Sequence, residues 1–395
     1  MNPPSLRIHS IDVLRALTMV LMIFVNDLWS LKNIPQWLGH TEAMEDGMGL
    51  ADTVFPAFLF IVGMSIPFSV HNRRIKGENK ESIAWHILTR SIALLVMGLF
   101  LVNGEYINKE ATGLQPVVWN SLCCFSFILV WNVYPKKVKP WMVRIAKTIG
   151  IVMLFILALN YRGGTEKIHG FQTYWWGILG LIGWAYLAAA IIYNFGGSNF
   201  YIPVISWLFF MVLCIAHHAG WLPDNNVINT LASPIGYGSM PAFTMGGILI
   251  SMIFISFGSE KGHSKMMILL LAISIVLFVL GFYTRTYWGI SKIRATPAWV
   301  LICSAITIIA FIMLHWMVDM KNKIHWFDFI KPAGNNTLLC YLLPYFAYAF
   351  VVLLGLSLPL FLLTGMIGLI KSLAFALLIV ALAGILGKWG IRLKL

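Results

Sequence analysis

Apolar runs of about twenty residues alternate with short polar segments along the whole chain. About twenty helical residues cross the hydrocarbon core of a bilayer, and a helix satisfies its own backbone hydrogen bonds there. The pattern predicts an all-α, polytopic membrane helix bundle of about twelve transmembrane helices, or eleven if residues 357–368 form a re-entrant segment. The predicted spans are roughly 12–30, 51–70, 83–103, 117–134, 142–160, 174–195, 200–219, 235–257, 266–284, 298–318, 335–356 and 368–389.

Composition and charge agree with this class and orient the bundle. The chain is 59% hydrophobic, above the roughly 45–50% of soluble domains. Its net charge of +13 does not point to nucleic acid, because most Lys and Arg residues lie in short loops between spans. The loops on one side carry more than twice as many of them as the other side. This bias predicts that both termini are cytoplasmic and that residues 31–50 face the extracytoplasmic side.

The absence of repeats and long polar insertions predicts a single integral membrane domain over residues 1–395. Its surroundings, and therefore one of its partners, would be the lipid bilayer. A bacterial inner membrane is the expected location, and a homo-oligomer is possible. The five cysteines lie in apolar segments without metal-ligand spacing, so neither a metal nor a disulfide is expected. Walker, G-x-S-x-G and H-E-x-x-H motifs are missing, which leaves ATP hydrolysis, serine-hydrolase and zincin chemistry without support.

Polar groups concentrate between the first two spans, in residues 26–56 of a chain that is only 11% charged. His40 is the strongest candidate for chemistry, because imidazole takes and gives protons near neutral pH. A lone loop histidine is more often incidental, but a neighbouring carboxylate would fix its tautomer. Asp27 and Asp52 both suit that role, and Asp52 also suits the N-cap of the second helix. The other polar residues of this segment are Asn26, Glu42, Glu45 and Asp46.

Several cations suit the phosphates of an anionic cofactor. Arg15 and Arg90 lie near the cytoplasmic ends of their spans, where guanidinium matches phosphate geometry, although pairing with Asp12 or with lipid is the plainer interpretation. Lys331 and Asn335 belong to the segment KPAGNNTLLCY, which is either a phosphate site or an ordinary helix start. His217 and His218 are adjacent, so they cannot easily bind one metal, and interfacial packing is the simpler interpretation.

Three stretches together resemble a known family. They are SIDVLRALTMVLMIFVND, the loop residue His40, and GLADTVFPAFLFIVGMSI. This run resembles the heparan-alpha-glucosaminide N-acetyltransferase family over about residues 10–66, and the resemblance returns weakly at 292–299 and 332–341. The loop from His40 to Gly47 is two residues longer than the family's pattern and lacks its Trp. The family's G-V-L-Q-R stretch is absent, and the hairpin at 174–219 is extra.

The resemblance implies acetyl transfer from cytosolic acetyl-CoA to an amino sugar or glycan across the membrane, with His40 as the active-site residue and Asn26 and Asp52 at motif positions. His40 would deprotonate the acceptor or be acetylated first, with Asp52 or Asp27 orienting the imidazole and Asn26 bonding the thioester oxygen. A cationic acceptor would be attracted by the acidic loop. The alternative is a proton-coupled transporter or flippase with Asp27 and His40 as a relay. The CoA phosphates would meet Arg15, Arg90, Lys331 and Asn335.

Overall fold

The computed structural model describes residues 8–197, 199–223, 226–257 and 263–395. Throughout this part of the chain the secondary structure is helical, with isolated bridges in place of a sheet. The long helices are α1 His9–Asp27, α2 Leu50–Ile75, α3 Lys80–Glu105, α4 Pro116–Trp131, α5 Pro140–Asn160, α6 Ile178–Gly196, α7 Tyr201–His218, α8 Ser239–Ser256, α9 His263–Trp288, α10 Pro297–Leu314, α11 Thr337–Leu353 and α12 Gly365–Lys388.

These helices confirm the predicted class of a multi-pass membrane protein. Within the described ranges, nine helices are long and apolar enough to cross a membrane, and α4 and α11 are shorter apolar helices. Of residues 357–368, where a re-entrant segment was possible, residues 357–364 form a connection with a 3-10 turn at Leu360–Leu363, and Gly365 begins α12. This turn is bonded to the segment after α1, because Lys32 N donates to Leu363 O at 2.8 Å and Gly365 N donates to Lys32 O at 2.9 Å. The side on which each terminus lies stays a prediction.

The contacts of the chain form two compact units, each built from separate stretches. Unit 1 comprises Met1–Thr18, Pro35–Ser91 and Leu181–Asp328, and unit 2 comprises Met19–Ile34, Ile92–Gly180 and Phe329–Leu395. Helices α1, α3 and α6 each contribute one part to each unit. The single domain predicted for residues 1–395 stays a prediction.

Unit 1 is organised around α2, which packs closely on α8. Gly63 on α2 lies against the backbone of Thr244, and Gly247 on α8 lies against the backbone of Phe60, so a Cβ at either glycine would collide with main chain. Small residues of this kind let helix backbones approach in a membrane and gain packing energy. The middle of α2 is thereby held close against α8.

Unit 2 has an aromatic and glycine-rich core. Trp119 on α4 is fully buried and donates from Nε1 to Phe100 O at 3.0 Å. Tyr161, just after α5, packs its ring on Trp119 with centroids 5.1 Å apart and donates to Asn103 O at 2.9 Å. Burial raises the pKa of Tyr161 to about 12, so its hydroxyl stays a donor at neutral pH. These contacts fix the end of α3 against α4.

Candidate active site

Asp52 is held in place by the first turn of α2. The helix begins at Leu50 after Gly49, so Asp52 is its third residue and does not precede the helix as expected. Asp52 N donates to Gly49 O at 3.0 Å, and Gly49 N donates back to Asp52 Oδ2 at 3.1 Å. Glycine is required at 49 because a Cβ there would collide with the carbonyl of Gly39. The predicted capping role is therefore real, but it is exercised from inside the helix.

His40 and Asp52 form a short side-chain pair. His40 Nδ1 lies 2.6 Å from Asp52 Oδ1, and the side chain of His40 is 47% exposed while that of Asp52 is 1% exposed. A carboxylate only accepts, so the imidazole donates from Nδ1 and leaves Nε2 as a free acceptor. Asp52 Oδ2 also accepts from Thr41 N and Thr41 Oγ1, each at 3.1 Å. Of the two carboxylates considered from the sequence, Asp52 contacts the imidazole.

Lys292 joins this pair, although the sequence did not single it out as a site residue. Its Nζ lies 3.2 Å from His40 Nδ1 and 3.9 Å from Asp52 Oδ1. Burial lowers the pKa of Lys292, and the charge of Asp52 acts in the opposite direction. The ammonium balances the charge of the buried carboxylate. The weak family resemblance at residues 292–299 was the one sequence signal that could have pointed to it.

The loop carrying Lys292 is docked on the loop carrying His40 through Asp46. Ile290 N donates to Asp46 Oδ1 at 2.7 Å, and Arg285 Nε donates to Asp46 Oδ2 at 3.0 Å. The Ile290 N–H bond, with the nearby Arg285 guanidinium, holds the pKa of Asp46 below its ordinary value. Gly47 N donates to Ile290 O at 3.0 Å. Asp46 thus joins two loops, and the stretch His40–Gly47 that is longer than the family's pattern supplies this contact. The attraction of a cationic acceptor by the acidic loop stays a prediction.

Trp299 anchors the pair from the side of α10. Its indole is fully buried and donates from Nε1 to Asp52 O at 3.0 Å. The ring meets Phe243 of α8 edge-to-face, with centroids 5.0 Å apart. A large aromatic with its one polar atom satisfied gives a well-packed and specific contact. The first turn of α2 is consequently fixed by both α8 and α10.

His217 and His218 have packing partners. The ring of His217 stacks on Tyr237 with centroids 3.5 Å apart. His218 Nδ1 lies 2.9 Å from Cys214 O, and its Nε2 lies 3.0 Å from Arg294 O. These contacts agree with the interpretation of both histidines as structural. Within the described ranges, no group of three or more His, Cys, Asp or Glu residues is arranged to hold a metal ion.

Asn26 and Asp27 belong to unit 2. The carboxylate of Asp27 is 4% exposed and accepts from Lys371 Nζ and Ser372 Oγ, both at 2.6 Å, and from Tyr348 Oη at 3.1 Å. Three donors of unit 2 therefore hold this carboxylate in place. Asn26 is exposed and lines a cavity of about 650 Å³.

The cations expected to hold phosphate have diverse surroundings. Arg15 pairs with Asp12, Nη1 to Oδ1 at 3.3 Å, as the plainer interpretation had it, and also bonds Ser65 Oγ. The guanidinium of Arg90 lies 4.7 Å from the ring centroid of Tyr186, and its Nε is buried without a hydrogen-bond partner in the described part of the chain. Lys331 and Asn335 are exposed on a five-residue helix, Lys331–Asn335. Each of these positions stays a prediction as a phosphate contact.

Comparison with known proteins places these residues in a family. The family model for the catalytic part of heparan-alpha-glucosaminide N-acetyltransferase matches residues 7–233. Heparan-alpha-glucosaminide N-acetyltransferase from Homo sapiens is 33% identical over 124 residues, which cover 30% of this chain and 16% of the relative. The mouse protein of the same name, from Mus musculus, is 32% identical over 120 residues, which cover 29% of this chain and 16% of the relative.

The family model matches more than half of this chain. The stretches aligned with the human and mouse relatives span only 16% of the length of those proteins. The matched residues include the His40–Asp52 pair and end before Lys292. The resemblance found from the sequence is thereby confirmed: the chain belongs to the heparan-alpha-glucosaminide N-acetyltransferase catalytic-domain family.

Proposed function

We propose that this protein is a transmembrane acetyltransferase that moves an acetyl group from cytosolic acetyl-CoA to the amino group of an extracytoplasmic amino sugar or glycan. The observation that carries the proposal is the 2.6 Å contact between His40 Nδ1 and Asp52 Oδ1. It lies within the residues matched by the family model, and it leaves a partly exposed imidazole nitrogen free to accept a proton. A positioned histidine base of this kind contributes typically about 10²–10⁴-fold to rate.

In direct transfer, the free amine of the acceptor attacks the carbonyl carbon of the thioester while His40 Nε2 takes a proton from the amine. The new C–N bond forms, the C–S bond breaks, and the CoA sulfur leaves as a thiolate that then gains a proton. Asp52 stabilises the imidazolium during this step. In the alternative order, Nε2 attacks the thioester and acetyl-histidine passes the group to the amine. Both orders need the tautomer that Asp52 sets.

The remaining site residues enter as proposed positions. Asn26 would donate to the thioester oxygen, whose negative charge grows in the transition state. Arg90, whose guanidinium lies over the ring of Tyr186, is one candidate for contact with a CoA phosphate. Arg15, Lys331 and Asn335 are further candidates for the CoA phosphates. Both termini would be cytoplasmic, in a bacterial inner membrane.

The test uses purified protein in lipid nanodiscs with acetyl-CoA and a panel of amino sugars including glucosamine. Release of CoA thiol and the mass of the acetylated sugar are measured. Wild type should turn over, and His40→Ala should lower kcat by about 10²–10⁴-fold with folding unchanged. His217→Ala is the matched control, because this histidine stacks on Tyr237 and should leave turnover within twofold.

Two outcomes would overturn the proposal. Absence of CoA release by wild type with every sugar of the panel would remove the acetyltransferase function. Retention of more than a tenth of the rate in His40→Ala would place the chemistry elsewhere. Proton movement driven by a substrate in sealed vesicles, without CoA release, would support the transporter in its place.

A further inference from the structure

The turn that carries Lys292 contains a strained residue. Ala295 is buried and has a φ of 53°, in the left-handed region that favours glycine. A residue with a side chain loses free energy in this region and stays there when the surrounding contacts hold it. Ala295 N donates to Lys292 O at 3.0 Å, so the strained residue bonds the backbone of Lys292 directly. The position of Lys292 therefore depends on the contacts that keep Ala295 left-handed.

The turn is closed by its own bonds and docked on the loop that carries His40. Thr296 N donates to Ser291 O at 3.1 Å, and Ser291 N donates to Thr296 Oγ1 at 3.1 Å. Ser291 Oγ and Arg294 Nε both donate to Ala43 O, at 3.1 and 2.9 Å. A change in the shape of the turn is therefore transmitted to the neighbourhood of the imidazole.

The end of α7 holds the two peptide groups on either side of the strained residue. His218 Nε2 lies 3.0 Å from Arg294 O, and Cys214 Sγ donates to Ala295 O at 3.5 Å. Because each peptide group is planar, fixing the directions of these two carbonyls fixes φ and ψ of Ala295. A thiol is a weak donor, so His218 supplies the stronger of the two bonds.

The imidazole of His218 faces acceptors on both sides. Its Nδ1 lies 2.9 Å from Cys214 O, and its Nε2 faces Arg294 O. A neutral imidazole has one N–H and one lone pair, so only the imidazolium donates to both carbonyls. The ring of His217 lies 5.2 Å away and that of Trp288 lies 6.4 Å away, both edge-to-face. A charged donor forms the stronger kind of hydrogen bond.

We propose that His218 is a positioning residue of the candidate active site, which as an imidazolium keeps Ala295 left-handed and thereby sets the distance between Lys292 and His40. The proposal rests on the proposed function for its effect on turnover. When the donors of His218 are removed, Ala295 relaxes toward the negative φ that alanine prefers, and the peptide group bonded to Lys292 O turns with it. The Lys292 ammonium then leaves its place 3.2 Å from His40 Nδ1 and 3.9 Å from Asp52 Oδ1.

The first experiment compares CoA release by variants of the full chain in lipid nanodiscs with acetyl-CoA and glucosamine. His218→Phe keeps a ring and removes both donors, so kcat should fall by about tenfold, within the roughly 10²-fold that a misplacement of about 1 Å costs. His218→Gln, whose amide N–H can donate to Arg294 O, should lose less than His218→Phe. His217→Phe is the matched control, because a phenyl ring can still stack on Tyr237, and it should leave kcat within about twofold of wild type.

A double variant tests the route through the turn. Glycine adopts the left-handed conformation without steric cost, so Ala295→Gly makes the turn less dependent on the contacts of α7. Added to His218→Phe, it should bring kcat back to within about threefold of wild type, which is the coupling expected of two residues that act on one turn. An equal loss with and without Ala295→Gly would overturn the proposal.

A second experiment needs no turnover. Nuclear magnetic resonance is recorded on protein whose histidines are labelled at both ring nitrogens, and the His218 signals are identified by their loss in His218→Phe. Both nitrogens of His218 should carry a proton at neutral pH, and a lone pair on either would overturn the proposal. The His40 signals should shift in His218→Phe and return when Ala295→Gly is added, because Lys292 moves away and comes back.

The two proposals fail separately. Wild-type kcat in His218→Phe would retain the acetyltransferase and refute the positioning role. A shift of the His40 signals in His218→Phe that Ala295→Gly reverses, with no CoA release by wild type, would retain the positioning role and refute the acetyltransferase.

Discussion

Replacing Asp52 by Asn should disable His40 without removing the carboxylate's structural contacts. Three donors, Thr41 N, Thr41 Oγ1 and Gly49 N, converge on Asp52 Oδ2. In the amide, the oxygen must occupy this position to accept from them, so the NH₂ group takes the position of Oδ1, 2.6 Å from His40 Nδ1. Because NH₂ only donates, Nδ1 must become an acceptor and the proton must move to Nε2. The base would then be in the wrong tautomer.

The magnitude follows from known effects of such a tautomer reversal. A comparable carboxylate-to-amide change lowers kcat by about 10⁴-fold, which is about 5.5 kcal/mol of transition-state free energy. Steady-state CoA release in nanodiscs should show this loss in kcat, with the KM for acetyl-CoA changed less than threefold. Thr41→Val is the control, because it removes one donor to Oδ2 and leaves the Nδ1 contact. A rate within tenfold of wild type in Asp52→Asn would refute the assignment of Nε2 as the base.

Three further changes test the surroundings of the pair. Lys292→Met removes the cation that lies 3.2 Å from His40 Nδ1 and 3.9 Å from Asp52 Oδ1, so the buried carboxylate loses its counter-charge and the rate of CoA release should fall; an unchanged rate would contradict this. Asp46→Ala releases the Lys292 loop and should lower the rate of CoA release in the same way, whereas separate behaviour of the two variants would count against docking. Asp27→Ala leaves Lys371, whose side chain is 18% exposed, without its carboxylate partner, so the free energy of unfolding in detergent should fall by about 3 kcal/mol, the lower end for a broken buried pair, and unaltered stability would refute the structural role.

The charge of Lys292 should make the rate depend on pH on the alkaline side. Burial lowers the pKa of Lys292, so its ammonium loses its proton at a lower pH than a solvated lysine does. The ammonium is present at neutral and acidic pH and disappears as pH rises through this lowered pKa. A change in rate on the alkaline side that is present in wild type and absent in Lys292→Met would report this loss. The same alkaline limb in both proteins would assign it to another group.

The sequence by itself determined the class of the protein and the first member of its site. Apolar runs of membrane-spanning length leave little choice but helices, because lipid offers no partner to a free N–H or C=O. His40 stood out because a titratable ring in a short loop beside several carboxylates is unusual in so apolar a chain. These properties are local, so a linear reading is sufficient to find them.

The tertiary structure decided which groups meet. Sequence spacing did not choose between Asp27 and Asp52 as the partner of His40. The turn at Gly49 directs Asp52 onto His40, while Asp27 is committed to Lys371. Lys292 approaches His40 across 252 residues of sequence because Asp46 joins their loops. Polarity marks a segment as exposed but does not specify its partner, and contacts between distant loops depend on how the helices that carry them pack.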